Sequence, residues 1–186
     1  MKEKKQISVN ICYLLEQKKW TLTKLSTEIK KIIRDDKRRG KSMFSEYASG
    51  GNMRSYMFFV VCRALEVDPD TMIKPVTEIK EYKKWDNFPS SLEEYKKQLQ
   101  KVLGSQIKAG NMEAFIEQFE SNASQLGADQ DDGEISNATY YRYSEKMGNI
   151  SIGRLLILSR CFGISLKQVA GLESVFGFVS GEKEIN

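Results

Sequence analysis

The sequence predicts a mostly α-helical protein that carries two copies of one helical unit in a single chain. Three observations predict this. First, the stretch from Tyr47 to Met53 leads into an apolar run, Tyr56 to Cys62, and then Arg63, Ala64, Leu65, Glu66, Val67 and Asp68. Its match runs from Tyr143 to Ile150, through apolar Leu155 to Leu158, to Arg160, Cys161, Phe162, Gly163, Ile164 and Ser165. Asn52 to Arg63 and Asn149 to Arg160 are both eleven residues. Second, Leu22, Leu25 and Ile29 fall 90 positions before Met112, Phe115 and Phe119. Third, 40% hydrophobic and 29% charged residues with only three prolines suit a packed, helix-rich globule. Duplication lets one chain do what a symmetric dimer does with two. The expected units are 1–74 and 91–186, with a connector at 75–90.

The elements follow in order. Ile7, Ile11, Leu14 and Leu15 recur at helical spacing, so residues 6–19 read as the first helix. Thr21 caps the second, whose core face is Leu22, Leu25 and Ile29. Residues 34–41 form a charged loop or frayed helix end. Ser42 caps a short helix at 43–49 that Gly50 and Gly51 stop. Residues 53–65 are apolar nearly all round and predict a buried central helix. Asp68, Pro69 and Asp70 start one more short helix, because proline suits the first turn.

The connector lies between Pro75 and Pro89. Val76 to Tyr82 is patterned for either a strand or irregular chain. Ser90 and Ser91 each have a glutamate three residues on, Glu93 and Glu94, which is a capping-box signature. Leu92, Tyr95, Leu99, Val102 and Leu103 then face one side of a long helix. Asn111 caps the next, with Met112, Phe115, Ile116 and Phe119 inward. Ser121 to Glu134 reads as a polar loop. Ser136 caps a helix through Tyr143, residues 151–162 form the second buried helix, and 165–172 the last short one. Val175 to Val179 occupies the place of Val76 to Tyr82, so the two would pair as a small central antiparallel β element.

The chemistry excluded is as informative. There is no histidine, which removes the commonest general base and metal ligand. The sequence holds no P-loop, zinc motif or Ser-His-Asp set, so neither an enzyme nor a cofactor is expected. Asp129, Asp131 and Asp132 resemble half of a calcium loop, but the terminal glutamate spacing fails and no metal is expected. Cys12, Cys62 and Cys161 sit in apolar helical runs without a CxxC pair. They read as buried reduced thiols of a cytoplasmic protein. The charged start lacks a signal-peptide core, and no apolar run would cross a bilayer. A net charge of +4 permits nucleic acid as partner without requiring it.

This order of short helices resembles the helix-turn-helix domain of the lambda repressor and Cro family. Ser136 to Tyr143 is similar to that family's recognition helix: a capping serine, small polar residues, and an aromatic that closes the core. Phe162 to Ser165, and Leu65 to Asp68 in the first copy, resemble the turn after helix four. The spans from Leu25 to Tyr47 and from Phe115 to Tyr143 are 22 and 28 residues, longer than the family's tight turn. The paired arrangement also resembles the internal-dimer fold of TraN-type DNA-binding proteins of Gram-positive conjugative plasmids. The resemblance implies two lambda-repressor-like units as an internal pseudo-dimer. Such a monomer would read an imperfect palindrome in double-stranded DNA, with half-sites roughly 34 Å apart. The setting would be transcriptional control or an accessory role in conjugative transfer. The alternative is a protein-interaction module on the same scaffold, an antirepressor or adaptor.

In the second unit Asn137, Thr139, Tyr140 and Arg142 are the expected DNA contacts, with Arg142 suited to a guanine edge. In the first unit Ser42 and Ser45 are the candidates, beside Met43 and Glu46, with Lys37, Arg38, Arg39 and Lys41 on the backbone or in a minor groove. Arg54 and Arg154, at the start of the two buried helices, would reach phosphates. Arg63 and Arg160 match between copies and suit either carboxylates within the fold or DNA.

Overall fold

The computed structural model describes residues 1–33 and 53–174, which are mostly helical. The loop at 34–41, the helix at 43–49 and the strand at 175–179 lie outside the described residues. Helix α1 spans Lys2–Gln17 and buries Ile7, Ile11 and Leu15, one residue per turn on one side. Helix α2 spans Leu22–Ile33. Thr21 Oγ1 caps it by accepting from the Lys24 N–H at 3.2 Å, and Leu25 and Ile29 are buried. Helix α3, Ser55–Leu65, is buried along almost its whole surface. Such a helix is stable only when other elements cover every side. Helix α2 packs along it.

After α3 the expected short helix at Asp68 is a single turn, held by the Thr71 and Met72 N–H groups on the Asp68 carbonyl. The expected strand at 76–82 is a 3-10 turn, Val76–Glu78, followed by one antiparallel bridge from Glu81 to Val67. The reason is local: the Glu78 N–H closes a turn on the Pro75 carbonyl. Only Lys80 and Tyr82 reach the backbone of 66–68, through Asp68 N–H to Lys80 O and Tyr82 N–H to Glu66 O.

Helix α4, Leu92–Leu99, begins where Ser91 accepts from the Glu94 N–H. The Glu94 carboxylate reaches back to the Ser90 N–H and hydroxyl, both at 2.8 Å, so the reciprocal half of the cap falls one residue early. The chain continues through a π-helical segment, Gln100–Gly104, into α5, Ser105–Ala109. Asn111 caps α6, Met112–Gln125. The polar stretch after Ser121 is therefore helical for another turn, because Ala123 still reaches the core. A short helix α7, Gln130–Gly133, follows, capped by Asp129. Helices α8, Asn137–Glu145, α9, Ile152–Phe162, and α10, Leu166–Val169, start at Ser136, Ser151 and Ser165. Each serine side chain accepts an N–H of the first turn.

Helix α9 packs along α6 as α3 packs along α2. Helices α3 and α9 have the same length and both end on a left-handed residue, Glu66 and Gly163. Their amino ends meet. Arg54 and Ser151 form an antiparallel bridge, with the Ser55 N–H on the Ile150 carbonyl and the Ile152 N–H on the Met53 carbonyl, both at 2.8 Å. Asn149 Oδ1 accepts from the Tyr56 N–H and the Ser55 hydroxyl, so a residue before α9 caps α3. Asp70 returns the exchange by accepting the Leu166 N–H of α10 at 2.6 Å. The buried apolar side chains form one cluster from Ile7 to Leu172.

Candidate nucleic-acid interface

Helix α8 is fixed by what it buries. Tyr140 and Tyr143, three residues apart, face the core, and Met147 continues that stripe. The Tyr140 hydroxyl donates to the Ile107 and Gly110 carbonyls at 3.2 and 3.3 Å. Tyr140 is therefore a core residue rather than a DNA contact, a correction that follows from the carbonyls its hydroxyl reaches at the end of α5. The opposite face presents Asn137, Ala138, Tyr141, Arg142 and Glu145 to solvent, with Tyr141 57% exposed. Thr139 is half-buried, its hydroxyl 3.1 Å from that of Ser136 at the cap. The 140–143–147 spacing was a signal for the inward face, and Tyr141 lies off that stripe.

At the carboxyl end of α8 the Gln100 amide holds the chain on both sides of the helix stop. Its Nε2 donates to the Ser144 carbonyl at 2.8 Å, and its Oε1 accepts the Met147 N–H at 2.6 Å. An open groove of about 530 Å³ lies beside this end, lined by Arg54, Arg142, Lys146, Asn149 and Arg154 among others. Arg54, Arg142 and Lys146 are exposed, and none forms an ion pair among the described residues. Arg54 makes one long contact, 3.4 Å to the Asn149 carbonyl, and Arg142 stacks over the Tyr143 ring.

Arg154 differs. Its Nε and Nη2 donate to the Asp131 carbonyl, Nη2 also to Glu134 O, and Nη1 to the Tyr143 hydroxyl. The expected phosphate ligand instead ties the 131–134 turn to α9, because that turn leaves carbonyls without N–H partners. Asp132, also at the groove, is buried and neutralised. Lys4 from α1 lies 2.7 Å from it, and the Ser151 hydroxyl donates to it. Burial opposes the Lys4 charge, but Asp132 and Asp129 outweigh it and raise the Lys4 pKa above its ordinary value. Gly153 makes room for this carboxylate, since a Cβ there would overlap it.

The amino end of α8 has the opposite character. An open groove of about 910 Å³ is lined by Glu120, Asp129, Asp131, Glu134, Ser136 and Thr139 among others. Acids of the preceding elements thus lie beside the start of α8, and Arg54, Arg142 and Lys146 beside its end. Of the other expected positions, Lys37, Arg38, Arg39, Lys41, Ser42 and Ser45 lie outside the described residues. Arg160 donates to the Gln125 amide oxygen, not to a carboxylate. Cys62 and Cys161 are buried as expected, but Cys12 is exposed, because Ile11 and Leu15 take the inward face of α1. Among the described residues no group of acids and thiols is arranged to hold a metal, and no helix is long and apolar enough to cross a membrane.

No family model, curated protein or solved structure matches the chain.

Proposed function

We propose that the protein binds double-stranded DNA sequence-specifically, with α8 as the reading helix of a helix-turn-helix-like unit. The observation that carries this is the outer face of α8. Asn137, Ala138 and Tyr141 stand clear of the core on a helix whose carboxyl end adjoins Arg54, Arg142 and Lys146, none of which forms an ion pair among the described residues. Asparagine suits an adenine edge, and an alanine methyl suits the methyl of thymine. The two units form an internal pseudo-dimer. Support comes from the pairing of Arg54 with Ser151, which are equivalent positions of the repeat and bridge antiparallel as residues about a two-fold axis do. The units differ in sequence, so the DNA site is an imperfect palindrome. The role is in transcriptional control or as an accessory factor of conjugative transfer.

The test is selection by the full-length chain from a duplex pool randomised over about two helical turns. Enrichment of a site with two unequal halves is expected. Asn137→Ala and Tyr141→Ala should then lose preference in one half only. Failure to retain any duplex at low salt overturns the reading. A second reading is favoured by the acidic groove at the start of α8, whose carboxylates repel phosphate and suit a basic protein segment. On that reading the protein is an adaptor or antirepressor, and a lysine-rich peptide rather than duplex DNA would be retained.

A further inference from the structure

We propose that the groove between α8 and the Arg54–Ser151 bridge is a composite phosphate site, in which Arg54, Arg142 and Lys146 grip the DNA backbone where the two units meet. This rests on the DNA reading above and adds to it the contact that neither unit makes alone.

Three like charges converge on one concave surface. Among the described residues no ion pair relieves their mutual repulsion, although Lys146 also feels Glu93 at longer range. The acids of the groove do not relieve it. Asp132 is already matched by Lys4, which leaves Asp131 alone against the three. Arg154 is held on backbone carbonyls and adds a fixed positive wall. The amino end of α3 is not itself the anion site, because Asn149 already takes the Tyr56 N–H. An anion here must be held by side chains, and arginine forks and a lysine ammonium are the usual phosphate ligands.

Position selects the polymer backbone as the source of the phosphate. Arg142 belongs both to the groove and to the outer face of α8, so a strand read by that face continues into the groove. Arg54 is carried by a backbone pinned from both sides by the Ile150 carbonyl and the Ile152 N–H, and so enters as a preset group from the other unit. The guanine contact expected of Arg142 gives way to a phosphate contact shared with Arg54 and Lys146.

The experiment measures the affinity of the full chain for a fluorescent mixed-sequence duplex at several salt concentrations. Arg54→Gln and Lys146→Gln should each flatten the log–log salt slope by about 0.9, the value of one phosphate contact. Arg54→Lys should retain the slope. So should Lys84→Gln, the same charge change at an exposed position outside the groove. Arg142→Ala should weaken all sequences alike. Wild-type binding with slopes for Arg54→Gln and Lys146→Gln equal to that of Lys84→Gln would overturn the groove while leaving DNA binding intact. No salt-dependent binding by the wild type would overturn both. Saturable binding of inorganic phosphate, lost in Arg54→Gln and unaccompanied by duplex binding, would assign the groove to free phosphate and overturn the backbone contact.

Discussion

Glu66 and Gly163 end α3 and α9 in the same left-handed conformation, with φ of 57° and 63°. A side chain with a Cβ is strained there and glycine is not. Nothing lies within 4 Å of a Cβ built on Gly163, so strain rather than crowding decides the effect of substitution. Glu66→Gly should stabilise the protein by roughly 1 kcal/mol, and Gly163→Ala should destabilise it by a similar amount. Among the described residues Glu66 has only an exposed contact at 3.5 Å with Lys18 to lose, which is worth little. Urea midpoints moving in the same direction for both variants would sink this account. The adjacent tyrosines make a second pair. Tyr140→Phe should cost about 1 kcal/mol, since its hydroxyl serves the Ile107 and Gly110 carbonyls, and should leave DNA affinity alone. Tyr141→Ala should do the reverse. Thermal melts and duplex titrations of both variants check this. Such paired tyrosines show the limit of reading residues singly: helical spacing marks a face, but the carbonyls that draw in one hydroxyl come from 30 and 33 residues upstream.

At the scale of elements, caps were legible and connections were not. The expected caps Thr21, Ser91, Asn111 and Ser136 each act on the N–H three residues on, so their signal is local, and Ser151 and Ser165 cap in the same way. The 76–82 stretch has a strand-like composition, but its fate is set by turns at Pro75 and by the carbonyl of Glu66. The π-helical segment had no sequence signal at all. Its consequence is mechanical: the widened turn brings Gln100 to the stop of α8, and Gly104 leaves space for it, because a Cβ there would overlap the Gln100 amide. Gln100→Ala and Gly104→Ala should therefore loosen the same place, the chain between Ser144 and Met147. Each should cost about 1–2 kcal/mol and speed hydrogen exchange at the Met147 N–H. They should also weaken duplex binding without touching DNA. Unchanged exchange at Met147 in both variants would show that Gln100 does not position the helix.

The sequence predicts two units, yet the buried apolar side chains form one cluster. Tyr56 and Phe59 of α3 pack on Phe88 and on Tyr95 of α4, with ring centroids 5.3 to 6.1 Å apart. Lys4 reaches Asp132, and Asp70 receives the Leu166 N–H. Contacts of this kind predict one cooperative unfolding transition, with circular dichroism and tryptophan fluorescence coincident in urea. Tyr95→Ala should move both probes together, at a cost of about 3 kcal/mol or more. Transitions that separate would mean two independently stable halves. On the proposed function, the same rigidity sets how the protein meets DNA. Two domains on a flexible tether tolerate a change in the distance between half-sites, because the linker absorbs it. Here the Arg54–Ser151 bridge and the shared core hold α8, the proposed reading helix, at a fixed offset from α3. Inserting about half a helical turn, roughly 5 bp, at the centre of a selected site also rotates one half to the far side of the duplex. Binding should then fall to the nonspecific level, with the salt slope of a mixed-sequence duplex. Full affinity for the lengthened site would mean that the units move independently, or that only one of them reads.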